Sequence, residues 1–248
     1  MVNMTAPRRK PKTGNNRACG FANPLADAIC PGMHRPAGTM SGRFGAMTPA
    51  KAAELLPQAL AAQDWETARK ALKRLLRADA GNASLHYNLG LVLRRLGETD
   101  AAEASFAAAL KLSPDHLNAL FEKAAAAMDA GRHEAAEAGF SLYVGKAPQD
   151  ADGWLNLARL RLRRDAAGEA EEAFDRVLAL RPSDKDAAIG KAEAGLRLGR
   201  SEASSSLRAL FAELPGERPR LLKTMSQGPR GTIPLSSLAL TGKAPIVG

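Results

Sequence analysis

Three residue series recur at one spacing and decide what this chain can fold into. Phe106, Phe140 and Phe174 stand 34 residues apart, as do Ala102, Ala136 and Ala170, and Pro114, Pro148 and Pro182. Their common frame is the segment 83–116, which reads ASLHYNLGLVLRRLGETDAAEASFAAALKLSPDH. A fixed period of this length, carried by two short helical patterns, is the signature of an array in which each unit is one helical hairpin.

Within that unit a helix A is predicted from 83 to about 96, with His86, Leu89, Gly90 and Leu93 on one face. Gly97 stops it. A helix B is predicted from about 100 to 112 and offers Ala102, Phe106, Ala109 and Leu110. Gly90 and Ala102 let the two backbones approach, Phe106 supplies bulk, and Pro114 turns the chain into the next unit. A lone hairpin leaves one face bare, so three or more must stack to complete a core. Five units are predicted: 49–82, 83–116, 117–150, 151–184 and a degenerate 185–215.

The pattern resembles the tetratricopeptide repeat family. Its succession of large residue, Leu, small residue, Ala, aromatic and Pro stands here as Trp154, Leu157, Ala158, Ala170, Phe174 and Pro182, and in the preceding unit as Leu120, Ala124, Ala136, Phe140 and Pro148. The resemblance implies an all-α, right-handed superhelical solenoid of about five antiparallel helix pairs over residues 48–215. It also implies a non-catalytic scaffold that holds a peptide or helix of a partner protein in its concave groove. Two other readings stay open: an accessory module of an enzyme system whose catalytic domain lies elsewhere, and RNA binding through basic tails.

Some positions depart from the pattern. Lys123 and Lys191 fill the slot of Leu89 and Leu157, and Arg161 fills that of Leu93. A buried cation without a partner is costly, so these side chains must reach solvent or an acid. In the last unit Ala203, Leu207 and Leu210 stand one place early, beside Ser204, Ser205 and Ser206, which reads as a terminal cap. Pro57 falls inside the first helix A, which must kink or restart there. Trp65 is expected to pack over the junction of the first hairpin.

Charge is concentrated at the ends. Residues 1–48 hold seven Lys or Arg against one acid, and 216–248 hold five against one; setting both aside from the chain's +9 leaves −1 for the units between. A near-neutral array with basic ends is not the distribution of a dedicated nucleic-acid-binding fold. Both ends are rich in Pro and Gly, so 1–47 is expected as a disordered basic head and 216–248 as a flexible basic tail, with a short helix near 220–225. No apolar run is long enough for a signal peptide or a membrane span, and a cytoplasmic location is expected. Met47 precedes Thr48-Pro49, a good N-cap and first-turn pair, which suggests a start near Met40 or Met47.

No enzyme chemistry is legible, and neither a cofactor nor a metal is expected. Cys19, Cys30 and His34 are one ligand short of a zinc site and read as free thiols and a lone imidazole. His86, His116 and His133 belong to helix faces or turns. Glu169, Glu171 and Glu172 open a helix B, where they complement its dipole.

The resemblance also places a groove. Positions two, five, six, nine, twelve and thirteen of each helix A tend to face the ligand, which gives Tyr87, Asn88, Leu91, Arg94 and Arg95, then Asn118, Phe121, Glu122 and Met128, then Asn156, Arg159 and Arg163, then Arg197. The clamp that some members close on a chaperone's terminal carboxylate is absent: Asn88 fits, but Ala53, Pro57, Asn118 and Glu122 fill its other places. The expected partner is an acidic-apolar peptide. Asn88 and Asn156 would bond its backbone, Tyr87 and Phe121 would cover its apolar side chains, and Arg95, Arg159 and Arg163 would take its carboxylates. The competing reading is that these arginines form solvated pairs with neighbours such as Asp129 and Asp152.

Overall fold

The computed structural model describes residues 47–226, and all regular structure within them is helical. Hairpins are formed by α1 (Pro49–Ala61) with α2 (Trp65–Ala78), α3 (Ala83–Arg95) with α4 (Thr99–Leu112), and α5 (Leu117–Asp129) with α6 (His133–Lys146). Two more follow, α7 (Ala151–Arg163) with α8 (Ala167–Leu180) and α9 (Lys185–Arg197) with α10 (Ser201–Glu213). The expectations for the head, including Cys19, Cys30 and His34, and for 227–248 fall outside the described residues.

The period is written into both ends of every A helix. Thr48, Asn82, His116, Asp150 and Asp184 are the N-caps, and each side chain accepts a hydrogen bond from a backbone N–H of the first turn. This satisfies donors that the helix itself leaves unpaired. At the other end Gln63, Gly97, Gly131, Asp165 and Gly199 all adopt positive φ. The following N–H reaches back five residues each time, from Asp64 to Ala59, Glu98 to Leu93, Arg132 to Ala127, Ala166 to Arg161 and Arg200 to Gly195. That is the Schellman arrangement, and a left-handed residue there suits glycine. Gln63, at φ 55°, is therefore a misfit that can be relieved. Gln63→Gly is expected to raise stability by about 0.5–1 kcal/mol, the left-handed cost less the added chain entropy. Chemical denaturation checks it, and a loss of stability would contradict the assignment.

Between these ends the helices bury the repeated positions. Leu72, Phe106, Phe140, Phe174 and Leu207 are at most 1% exposed, one on each B helix, and Ala68, Ala102, Ala136 and Ala170 are fully buried one turn before the first four. Successive A helices touch at α3–α5, α7–α9 and α9–α11, while no two successive B helices touch to a comparable extent. The A helices therefore line the inner side of the stack and the B helices its outer side. α1 runs unbroken through Pro57, which sits on its exposed side. Lys51 and Gln58 are exposed there, where later A helices place Ala119, Ala126, Ala187 and Ala194 against the preceding unit. A polar face in that position closes the stack.

A second ladder joins neighbouring hairpins by charge. Glu103, Glu137 and Glu171, one period apart, pair with Arg132, Arg164 and Arg200 from the turn of the next unit. In the first unit the same clasp is inverted: Arg69 holds Glu98 at 2.6 Å. The misplaced cations are resolved as the physical argument requires, because Lys191 meets Asp175 at 2.6 Å and Arg161 lies 3.4 Å from Glu169. Lys123 is half-buried and joins no ion pair among the described residues.

One boundary needs correction. The short helix expected near 220–225 is present as α11 (Arg218–Ser226), but it follows a 3-10 turn, Pro215–Glu217, and packs on α9 and α10, so the array does not give way to a flexible tail at 216. Leu221 is fully buried and Thr224 nearly so, while Lys185 pairs with Glu217 and Asp186 with Arg220. The open face of the fifth hairpin carries Ile189, Leu207 and Leu210, and α11 covers it. The array is capped by α11, not by α10.

Candidate functional site

The inner surface is made by the A helices, and its residues fall into three groups. Position five is core. Tyr87 is 5% exposed, with its ring 4.8 Å from that of His116, and Leu155 and Ile189 are buried at the same slot. Phe121 is half-buried and meets Phe140 and Tyr143 edge-on at 5.3 and 5.1 Å. Burial, helped by the charge of Glu122, raises the Tyr87 hydroxyl to about 12. Tyr87 therefore does not cover a ligand as the sequence suggested; its ring fills space between successive A helices. Asn88 is buried as well, at 5% exposure, and its Oδ1 has no hydrogen-bond partner.

The second group is cationic and already engaged. Arg94 lies between Glu122 at 2.5 Å and Asp129 at 2.7 Å, and these hydrogen-bonded carboxylates raise its pKa against the opposing effect of burial. Arg159 pairs with Asp186 at 3.2 Å, and the same carboxylate holds Arg220 of the cap. Both arginines keep the Asp186 carboxyl below its ordinary value despite partial burial. Arg197 donates to the Leu162 carbonyl at 2.7 Å and reaches Glu193 and Asp165. Of the two neighbours named from sequence, Asp129 is taken by Arg94 and Asp152 by Arg181. The basic bias expected of this face is thus largely cancelled. Asp129 and Glu193 stand at the same helical positions as Arg163 and Arg159, and Asp152 and Asp186 at that of Asn118, so reading the register through α5, α7 and α9 for acids as well as bases would have found them.

The third group is available. Asn118 is exposed and Asn156 half-exposed, and neither side chain makes a hydrogen bond among the described residues. Arg95 lies over Trp65, 6.0 Å from the ring centroid, and Arg163 contacts His133 at 3.5 Å; neither has a carboxylate partner. Leu91 and Met128 are half-exposed nearby in the register. Trp65 itself opens α2 and packs against the core of the first two hairpins, as expected.

The family profile described as Tetratricopeptide repeat matches residues 54–114, 91–151 and 155–217. The chain belongs to the tetratricopeptide repeat family. Solved structures agree on the fold. MamA from Desulfovibrio magneticus RS-1 superposes with a TM-score of 0.63 at 20% identity, over 69% of this chain and 99% of that one. A tetratricopeptide repeat protein from Parabacteroides merdae ATCC 43184 gives 0.65 at 22%, over 72% and 73%. YrrB, described as having an unusual peptide-binding site, gives 0.61 at 15%, over 69% and 89%. No curated protein sequence matches this chain. Among the described residues no His, Cys, Asp and Glu group could hold a metal ion, and no helix is long and apolar enough to cross a membrane.

Proposed function

We propose that this protein is an interaction scaffold that binds an extended peptide or helix of a partner protein along its inner face. The observation that carries the reading is the free amides of Asn118 and Asn156 on successive A helices, 38 residues apart in the chain and one stacking step apart in the array. Side-chain amides left unpaired on a rigid surface suit the backbone groups of an extended chain, which need partners at regular intervals. Phe121, Leu91 and Met128 would cover apolar side chains. Arg95 and Arg163, lacking carboxylates of their own, would take the ligand's. Arg94, Arg159 and Arg197 would keep the groove in shape rather than reach out, so the preferred ligand carries few acids and is mainly apolar. YrrB, a protein of the same fold, is described as having an unusual peptide-binding site, which supports a peptide as the class of ligand.

The test begins with capture of partners by the full chain, with and without nuclease. Loss of capture on nuclease treatment would turn the reading to RNA. Asn156→Ala with Arg163→Ala is then expected to weaken the captured peptide by about 2 kcal/mol, roughly thirtyfold in Kd. Calorimetry showing unchanged affinity would move the site off this face.

A further inference from the structure

The charges on the outer side of the first two hairpins are unevenly partnered. On α2 Lys70, Lys73 and Arg77 follow one another turn by turn along one exposed stripe, and Lys111, one period after Arg77, holds the equivalent exposed place on α4. None of the four joins an ion pair among the described residues. The carboxylates around them are occupied. At the far end of the two helices Glu66 pairs with Arg69 and Asp100 with Arg132, each at 2.6 Å, and Glu103 is held by the same Arg132. Closer to the stripe, Asp115 pairs with Lys146 at 2.8 Å, Glu54 with Lys51 at 3.3 Å, and Asp79 accepts from the Asn82 amide at 3.0 Å. The C-terminal ends of α2 and α4 therefore form a net positive corner. Arg74 donates to the Met47 carbonyl at 2.6 Å, so residues 1–46, with seven Lys or Arg and one acid, join the array at this same corner. Leu112 is 46% exposed there. It leaves α4 half a turn away from Glu103, whose partner lies in the next unit, and so projects toward α2.

We propose that this corner docks on the surface of an anionic lipid bilayer. Two neighbouring ridges of a convex stack share a tangent plane, so a flat surface reaches α2 and α4 together without deforming the array. Lys73, Arg77 and Lys111 lie among the headgroups, where each cation strengthens binding about fivefold. Leu112, between the two ridges, enters the boundary beneath them, as the apolar members of an interfacial surface do. The basic residues that precede Met47 are delivered to the same leaflet. A nucleic acid fits the corner less well. Among the described residues no aromatic ring is exposed to stack a base, and an exposed leucine gains nothing against a sugar–phosphate backbone. The inner face stays open on the opposite side of the stack, so docking is independent of peptide binding there.

Co-sedimentation of the full chain with phosphatidylcholine vesicles containing about one third phosphatidylglycerol, at physiological ionic strength, is expected to show binding that pure phosphatidylcholine vesicles do not support. Lys73→Gln, Arg77→Gln and Lys111→Gln together are expected to weaken that binding about a hundredfold. The melting temperature should not change, since all three side chains are exposed. Leu112→Ser is expected to weaken binding severalfold. Arg176→Gln, Arg208→Gln and Lys223→Gln remove the same charge from exposed places elsewhere in the array. That variant should change binding by less than about threefold, because charges more than ~10 Å from the bilayer are screened. A parent chain that ignores anionic vesicles, or an equal loss in the two triple variants, would overturn the proposal. So would an RNA oligonucleotide whose binding depends on Lys73, Arg77 and Lys111, since it would assign the corner to nucleic acid.

Discussion

Phe140→Ala is expected to cost about 3–5 kcal/mol, a large part of the stability of a domain this size. The ring is fully buried, belongs to a cluster with Leu120, Ala124, Leu157 and Leu160, and meets Phe121 edge-on at 5.3 Å. It thus serves the third hairpin and its interface with the fourth. In a stack where each unit contacts only its neighbours, weakening a central interface uncouples the two halves as well as destabilising one hairpin. Denaturant unfolding should show a lower midpoint and a broader transition. Ser141→Ala, one residue away and exposed without a hydrogen bond, should stay within about 0.5 kcal/mol. A loss below about 1 kcal/mol at Phe140 would mean that the helix faces have been misassigned.

A smaller penalty is expected where the array admits no side chain at all. A methyl group at Gly190 would lie 2.2 Å from the Cζ of Phe174, a ring that is 1% exposed and has no room to withdraw. Gly190→Ala gains about 1 kcal/mol of helix propensity, but overpacking a closed core costs about 1–3 kcal/mol, and valine at the same position costs more. Gly168 in α8, where an added methyl meets nothing within 4 Å, is the matched control, and its alanine variant should be neutral or slightly stabilising. Thermal melts of the two variants should move in opposite directions. If Gly190→Ala were the more stable of the pair, the approach of α9 to the Phe174 ring would be looser than described.

The candidate groove divides along a physical line. Asn118, Asn156, Arg95 and Arg163 reach solvent and join no ion pair among the described residues. Tyr87 and Asn88 occupy equally good register positions and are buried. Register gives the direction in which a side chain leaves its helix, but the tilt of the next A helix decides whether that direction opens on solvent or on His116. The arginines divide in the same way. Arg94 and Arg159 are consumed by carboxylates 28 and 27 residues away, and a reading that collected cations without their facing acids overstated the basic character of the surface.

The period itself was legible in full because each unit must present the same small residue, the same bulky residue and the same stops to a neighbour built on the same plan. Those requirements are local, repeat every 34 residues, and leave marks in the one-dimensional chain. Helix limits, the Thr48 cap and the Phe106, Phe140 and Phe174 core all follow from them. Only the tertiary structure decided that α11 closes the array, since its sequence is polar and Pro-flanked, and only the exposed end of the fifth hairpin gives Leu221 something to bury against. It also decided which charges meet, because ion pairs such as Arg69 with Glu98 depend on how far one hairpin is rotated on the next. That rotation is set by the whole stack, through contacts that no single repeat contains.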